Sequence, residues 1–101
     1  MRFFLAAAIL LAPAAAQAAQ CSYFDAGTDE LVEARCTVAY ESDGEIITLG
    51  ERNLVFVQQE RQGQWATGTL DGAPAMRYEI NRETFSYATR DLTRFLDLSL
   101  R

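Results

Sequence analysis

From residue 21 onward, apolar and polar positions alternate in short runs separated by turn-forming clusters. The clearest run is 31–40: Val32, Ala34, Cys36, Val38 and Tyr40 share one parity, and Glu33, Arg35 and Thr37 take the other. Period-two alternation is the mark of a strand with one face buried. Comparable runs rich in β-branched and aromatic residues occupy 21–24, 45–49, 54–60, 65–70, 76–80 and 84–89. Between them lie Gly27, Ser42-Asp43-Gly44, Gly50, Gly63, Asp71-Gly72 and Asn81-Arg82-Glu83, all turn formers. Asp71-Gly72 is the strongest hairpin signal, because both central residues of such a turn need positive φ. Pro74 follows at once and predicts an edge or loop position before 76–80. In that strand Met76, Tyr78 and Ile80 are predicted to face inward and Arg77 and Glu79 outward, while Phe85 and Tyr87 of the next face inward. Leu92, Phe95 and Leu96 have helical spacing with Asp91 as a cap, whereas Leu96, Leu98 and Leu100 alternate. This pattern predicts a short helical turn at 91–94 and then a final strand. Seven or eight short strands in one chain predict an all-β fold, a small antiparallel meander closing into a barrel or rolled sheet.

The N-terminal stretch does not alternate. Met1-Arg2 is a short positive start, residues 3–12 form an apolar run, Pro13 breaks it, and Ala16-Gln17-Ala18 has the small-x-small pattern that signal peptidases accept. Residues 1–18 are therefore predicted to be a signal-peptide helix, and residues 19–101 a single mature domain beginning at Ala19. The apolar run is shorter than the roughly 18–20 residues a spanning helix needs, so the mature chain is not expected to be an integral membrane protein. Gln20 precedes Cys21 where a lipoprotein signal has a small residue, which favours a secreted or periplasmic chain over a lipid-anchored one. Export places Cys21 and Cys36, the two cysteines, in an oxidising compartment and predicts a disulfide between them. The inward parity of Cys36 points that bond into the core.

Charge narrows the partners. The whole chain carries a formal charge of −5, and loss of Arg2 leaves the mature domain more negative by a single unit. Such a surface repels nucleic acid and anionic lipid. Every basic residue is Arg, and histidine is absent. Without His or Lys the chain has no Ser-His or Cys-His pair and no Schiff-base lysine. Carboxylates remain for glycoside hydrolysis, but they are spread over turns and outward positions. Asp25, Asp29 and Glu30 around Gly27 do not follow the alternate spacing of a calcium loop. No catalytic residue, metal or cofactor is predicted.

What the residues offer is a binding surface. Trp65, Arg77 and Tyr78 are of types enriched at interaction hot spots, and Asp71, Gly72 and Pro74 lie in the loop between the strands that carry them. The same residues have structural roles open to them: Trp65 and Tyr78 as core aromatics, Arg77 paired with Glu79 or a cross-strand acid at the surface.

A cysteine near the start of a β-domain, Gly72 leading through Arg77-Tyr78, and the aromatic strand 84–89 together resemble the bacterial inhibitors of c-type lysozyme. That family carries Ser-Gly-x-x-Tyr followed by an aromatic-Lys-Gly segment. Here Asp71 stands at the Ser position, Gly72 and Tyr78 are six apart, and no Lys is present. The resemblance implies a small β-barrel that blocks an enzyme cleft with a loop. The expected function is a non-enzymatic periplasmic binding or accessory domain with a protein or cell-envelope partner. The alternatives are an inhibitor of a lysozyme-type hydrolase and, third, a small hydrolase.

Overall fold

Tight turns between alternating runs pair each strand with the next, and the last strand returns to the first. The computed structural model describes residues 16–100. They form β1 (Gln17–Asp25), β2 (Glu30–Glu41), β3 (Gly44–Leu49), β4 (Arg52–Gln62), β5 (Trp65–Leu70), β6 (Ala73–Asn81), β7 (Thr84–Thr89) and β8 (Arg94–Ser99). Each is antiparallel to its successor, and β8 pairs with β1 to close an eight-stranded up-and-down barrel. Closure leaves no unpaired edge among the described strands. Most of the expected signal segment lies outside the described residues, but Gln17 and Ala18 open β1 and pair with Val38 and Thr37. A chain cut after Ala18 gives up those two pairs and keeps the ladder from Ala19↔Cys36 onward.

The barrel is filled by its inward parity. Tyr23, Val38, Ile47, Leu54, Phe56, Leu70, Leu96 and Leu98 are buried, as are Cys21 and Cys36, which are bonded to each other. Outward positions include Glu33, Arg35 and Asp97, all exposed. Among the described residues no helix is long and apolar enough to cross a membrane.

Two glycines let neighbouring backbones close on β4. A Cβ at Gly44 would lie 1.8 Å from the Phe56 carbonyl oxygen, and one at Gly68 would lie 1.8 Å from that of Val57. A register shift between Gln58 and Glu60 bends β4 beside these contacts. Gly68→Ala should therefore destabilise the barrel by about 1–3 kcal/mol through overpacking. Urea denaturation measures this, and an unchanged midpoint would mean that β4 and β5 are not so close.

Three expectations are corrected. Arg77 points into the barrel, and Met76, Tyr78 and Ile80 point out. The Asp71–Gly72 turn explains the inversion: it pairs Leu70 with Ala73, Gly68 with Ala75 and Ala66 with Arg77. Residues paired across an antiparallel ladder share a face. Since Leu70 and Ala66 face the core, Arg77 does too, and Trp65, paired with Tyr78, lies outside with it instead of in the core. Residues 91–94 form no helical turn: Arg90 and Asp91 are a turn, Leu92 takes φ 59, and β8 begins at Arg94. The Thr89 hydroxyl accepts from the Thr93 and Arg94 amides, and the Asp91 carboxylate also accepts from the Thr93 amide. These side chains meet the backbone donors that a helix would have used. Pro74 sits within β6, near its start, and its carbonyl accepts the Arg90 N–H.

Candidate functional site

The β5–β6 hairpin carries all the predicted surface residues, and all but Arg77 remain on its outer side. At its turn, Asp71 has φ 52 and Gly72 φ 84, the left-handed backbone that this tight turn requires. The Asp71 carboxylate accepts the Val55 N–H at 2.8 Å, and the Asp71 N–H donates to the Val55 carbonyl at 2.8 Å. With Arg90 holding Pro74, the turn is tied to β4 on one side and to the 90–93 turn on the other. Five ladder steps away, about 17 Å at strand rise, Trp65 and Tyr78 pack with ring centroids 4.5 Å apart and planes tilted by 39°. Trp65 is 49% exposed.

From that pair the outer face continues across the barrel. Ladder register aligns Met76 with Ala88, Ala88 with Phe95, Phe95 with Phe24, and Phe24 with Leu31. The Phe24 and Phe95 rings stack at 6.4 Å, and Leu31 is exposed. The row beside it runs Tyr78, Ser86, Asp97, Ser22, Glu33, with Ser86 donating to Asp97 and Ser22 to Glu33. A groove of ≈460 Å³ between the rows is lined by Trp65, Met76, Tyr78, Ala88, Phe95 and Asp97, among others. An aromatic anchor beside a polar margin suits polypeptide contact.

No protein-family model, curated protein or solved structure matches this chain.

Arg77 leaves the predicted surface and joins a polar cluster inside the barrel. Its Nη1 donates to Glu45 Oε2 at 2.6 Å, its Nη2 to Gln58 Oε1 at 3.1 Å, and the Tyr87 hydroxyl donates to Glu45 Oε1 at 2.6 Å. Arg77 is 6% exposed and Glu45 3%. The Phe56 and Phe85 rings flank the guanidinium, at 5.4 and 5.9 Å. Glu45 is carried inward by the same parity as Ile47 and Leu49, which the alternation of 45–49 could have revealed.

Burial first, and then the Glu45 charge, push the Tyr87 phenol well above its ordinary pKa of 10.0. Burial and Glu45 also raise Tyr40. A phenol that holds its proton more tightly when folded contributes stability that is complete below the ordinary value and is lost as pH rises past it. Tyr87→Phe should cost about 1–3 kcal/mol at neutral pH, through the lost bond to Glu45, and should lose less further stability than wild type when pH is raised to about 10–11. Denaturant titrations at both pH values test this; equal alkaline losses would contradict it.

Proposed function

We propose that this chain is an exported, non-enzymatic binding domain of the bacterial periplasm that meets a protein partner on the outer face of the β5–β6 hairpin. The observation that carries the reading is the outward, tilted Trp65–Tyr78 pair at the head of an apolar groove. The barrel core is too closely filled to admit a polypeptide, so a protein partner is met on the outside, and a half-exposed Trp is an anchor of the kind that dominates interface energies. The Cys21–Cys36 bond supports export, since such bonds persist in oxidising compartments. The outward charges Glu33, Arg35 and Asp97 support aqueous surroundings for the barrel wall. The non-catalytic reading rests on the lack of His and Lys.

Capture from envelope extract with residues 19–101 as bait would supply the partner. Trp65→Ser should then weaken that partner at least about tenfold, or about 1.4 kcal/mol. Unchanged affinity in a Trp65→Ser/Tyr78→Ser double variant would sink the proposal.

A second reading, inhibition of a lysozyme-type hydrolase, is favoured by the pinned Asp71–Gly72 turn and the start of β6 beside it. A segment already held by Asp71–Val55 and Arg90–Pro74 bonds pays little ordering cost on entering a cleft. Titration of c-type lysozyme separates the two: inhibition lost on replacing Asp71-Gly72 and Pro74, and kept in Trp65→Ser, would favour the second.

A further inference from the structure

We infer that the barrel mouth beside the 42–43 turn binds a neutral, hydroxyl-bearing small molecule of about the size of one sugar ring. This site is separate from the hairpin face. It is a cavity of ≈330 Å³ whose lining includes Tyr40, Glu45, Gln58, Arg77, Glu79 and Phe85. That volume is at the small end of the roughly 300–1,000 Å³ of ligand clefts.

The first pointer is Arg77. Its two terminal nitrogens are committed to Glu45 and Gln58, but Nε has no hydrogen-bond partner; among the described residues it is the buried side-chain polar atom left in that state. A buried donor left unmet is costly, so an acceptor oxygen that reaches it is favoured.

The second pointer is the mixture of charges. Glu41, Asp43, Glu45 and Glu79 line the mouth together with Arg61 and Arg77. Arg77 is already neutralised by Glu45, and Arg61 pairs with Glu79 at 3.1 Å. The carboxylates outside these pairs, Glu41 and Asp43, stand exposed at the rim, where they would repel an anion, and no buried charge of this lining is left free to hold a cation. A neutral molecule whose hydroxyls both donate and accept can satisfy either kind of group. Tyr40, 40% exposed, and the buried Phe85 supply apolar surface for its C–H face.

The test is a backbone-amide NMR titration of residues 19–101 with D-glucose, with N-acetyl-D-glucosamine and, as an anionic control, with acetate, each to about 100 mM, a range that reveals weak millimolar binding. At least one sugar should give saturable shifts at Gly44, Gln58 and Arg77, with none from acetate. Tyr40→Ala should weaken that binding about fivefold or more, while Trp65→Ser leaves it unchanged. Lack of saturation by either sugar would mean that only water serves Arg77 and would overturn the inference. So would acetate binding as tightly as sugar, or shifts centred on Trp65 and Tyr78.

Discussion

Arg77→Ala should lose about 3–5 kcal/mol of folding stability, the cost of breaking a buried ion pair from one side. The loss follows from what stays behind. Glu45 is almost wholly buried and would keep only the Tyr87 hydroxyl, while Gln58 would lose its donor. Removing both charges is a different experiment. Glu45→Gln with Arg77→Met keeps an acceptor for Tyr87 and fills the space with an apolar chain, so the pair should lose much less than the two single variants combined. Urea denaturation of the four proteins closes the cycle. A loss below about 1 kcal/mol in Arg77→Ala is what an outward, solvated Arg77 would give.

That residue also shows where sequence reasoning stopped short. An all-β antiparallel meander of seven or eight strands was legible, though not whether it closed, and the inward parity of 31–40 was legible because alternation there is unambiguous: Val32, Ala34, Cys36 and Val38 oppose Glu33, Arg35 and Thr37. In 76–80 both parities look plausible. Met76, Tyr78 and Ile80 outweigh Ala75 and Arg77 in hydrophobicity, yet they lie outside. The deciding information was in the partner strand, since a two-residue turn at Asp71–Gly72 transmits the parity of Leu70, Gly68 and Ala66 to Ala73, Ala75 and Arg77. The polar cluster was invisible for a related reason. Glu45, Gln58, Arg77 and Tyr87 come from four strands and meet only when the sheet rolls shut. The outer groove was half legible: Trp65 and Tyr78 stood out by type, but Phe95 joins them through the β7–β8 ladder and Phe24 only through β8 closing on β1. At 91–94 the helical spacing of Leu92, Phe95 and Leu96 lost to the side-chain hydrogen bonds of Thr89 and Asp91.

Removing the disulfide should have the other large effect. Cys21 and Cys36 lie on adjacent strands, 15 residues apart, with Cα atoms 5.9 Å apart. In the chain-entropy account a closure of that length restricts the unfolded chain by about 3 kcal/mol. Net stabilities are only about 5–15 kcal/mol, so this is a substantial share for a small barrel. A Cys21→Ala/Cys36→Ala variant should melt lower by about 4–8 °C for each kcal/mol lost. Free-thiol titration of the denatured wild type should find none. A melting temperature unmoved by reduction or by the double substitution would show that the β1–β2 ladder holds without the bond.

If a partner is met on the outer face of the β5–β6 hairpin, a reactive group placed there should reach it and one placed elsewhere on the barrel should not. Site-specific photo-crosslinking reads this out in the native setting, with a photoreactive phenylalanine at position 78 in one protein and at position 35, on the outer face of β2, in another, both exposed to intact envelope. Position 78 should give one discrete adduct that is absent from position 35 and disappears when Trp65 is changed to Ser. Adducts of equal yield from both positions, or from position 35 alone, would place the contact elsewhere and refute the hairpin face as the working surface.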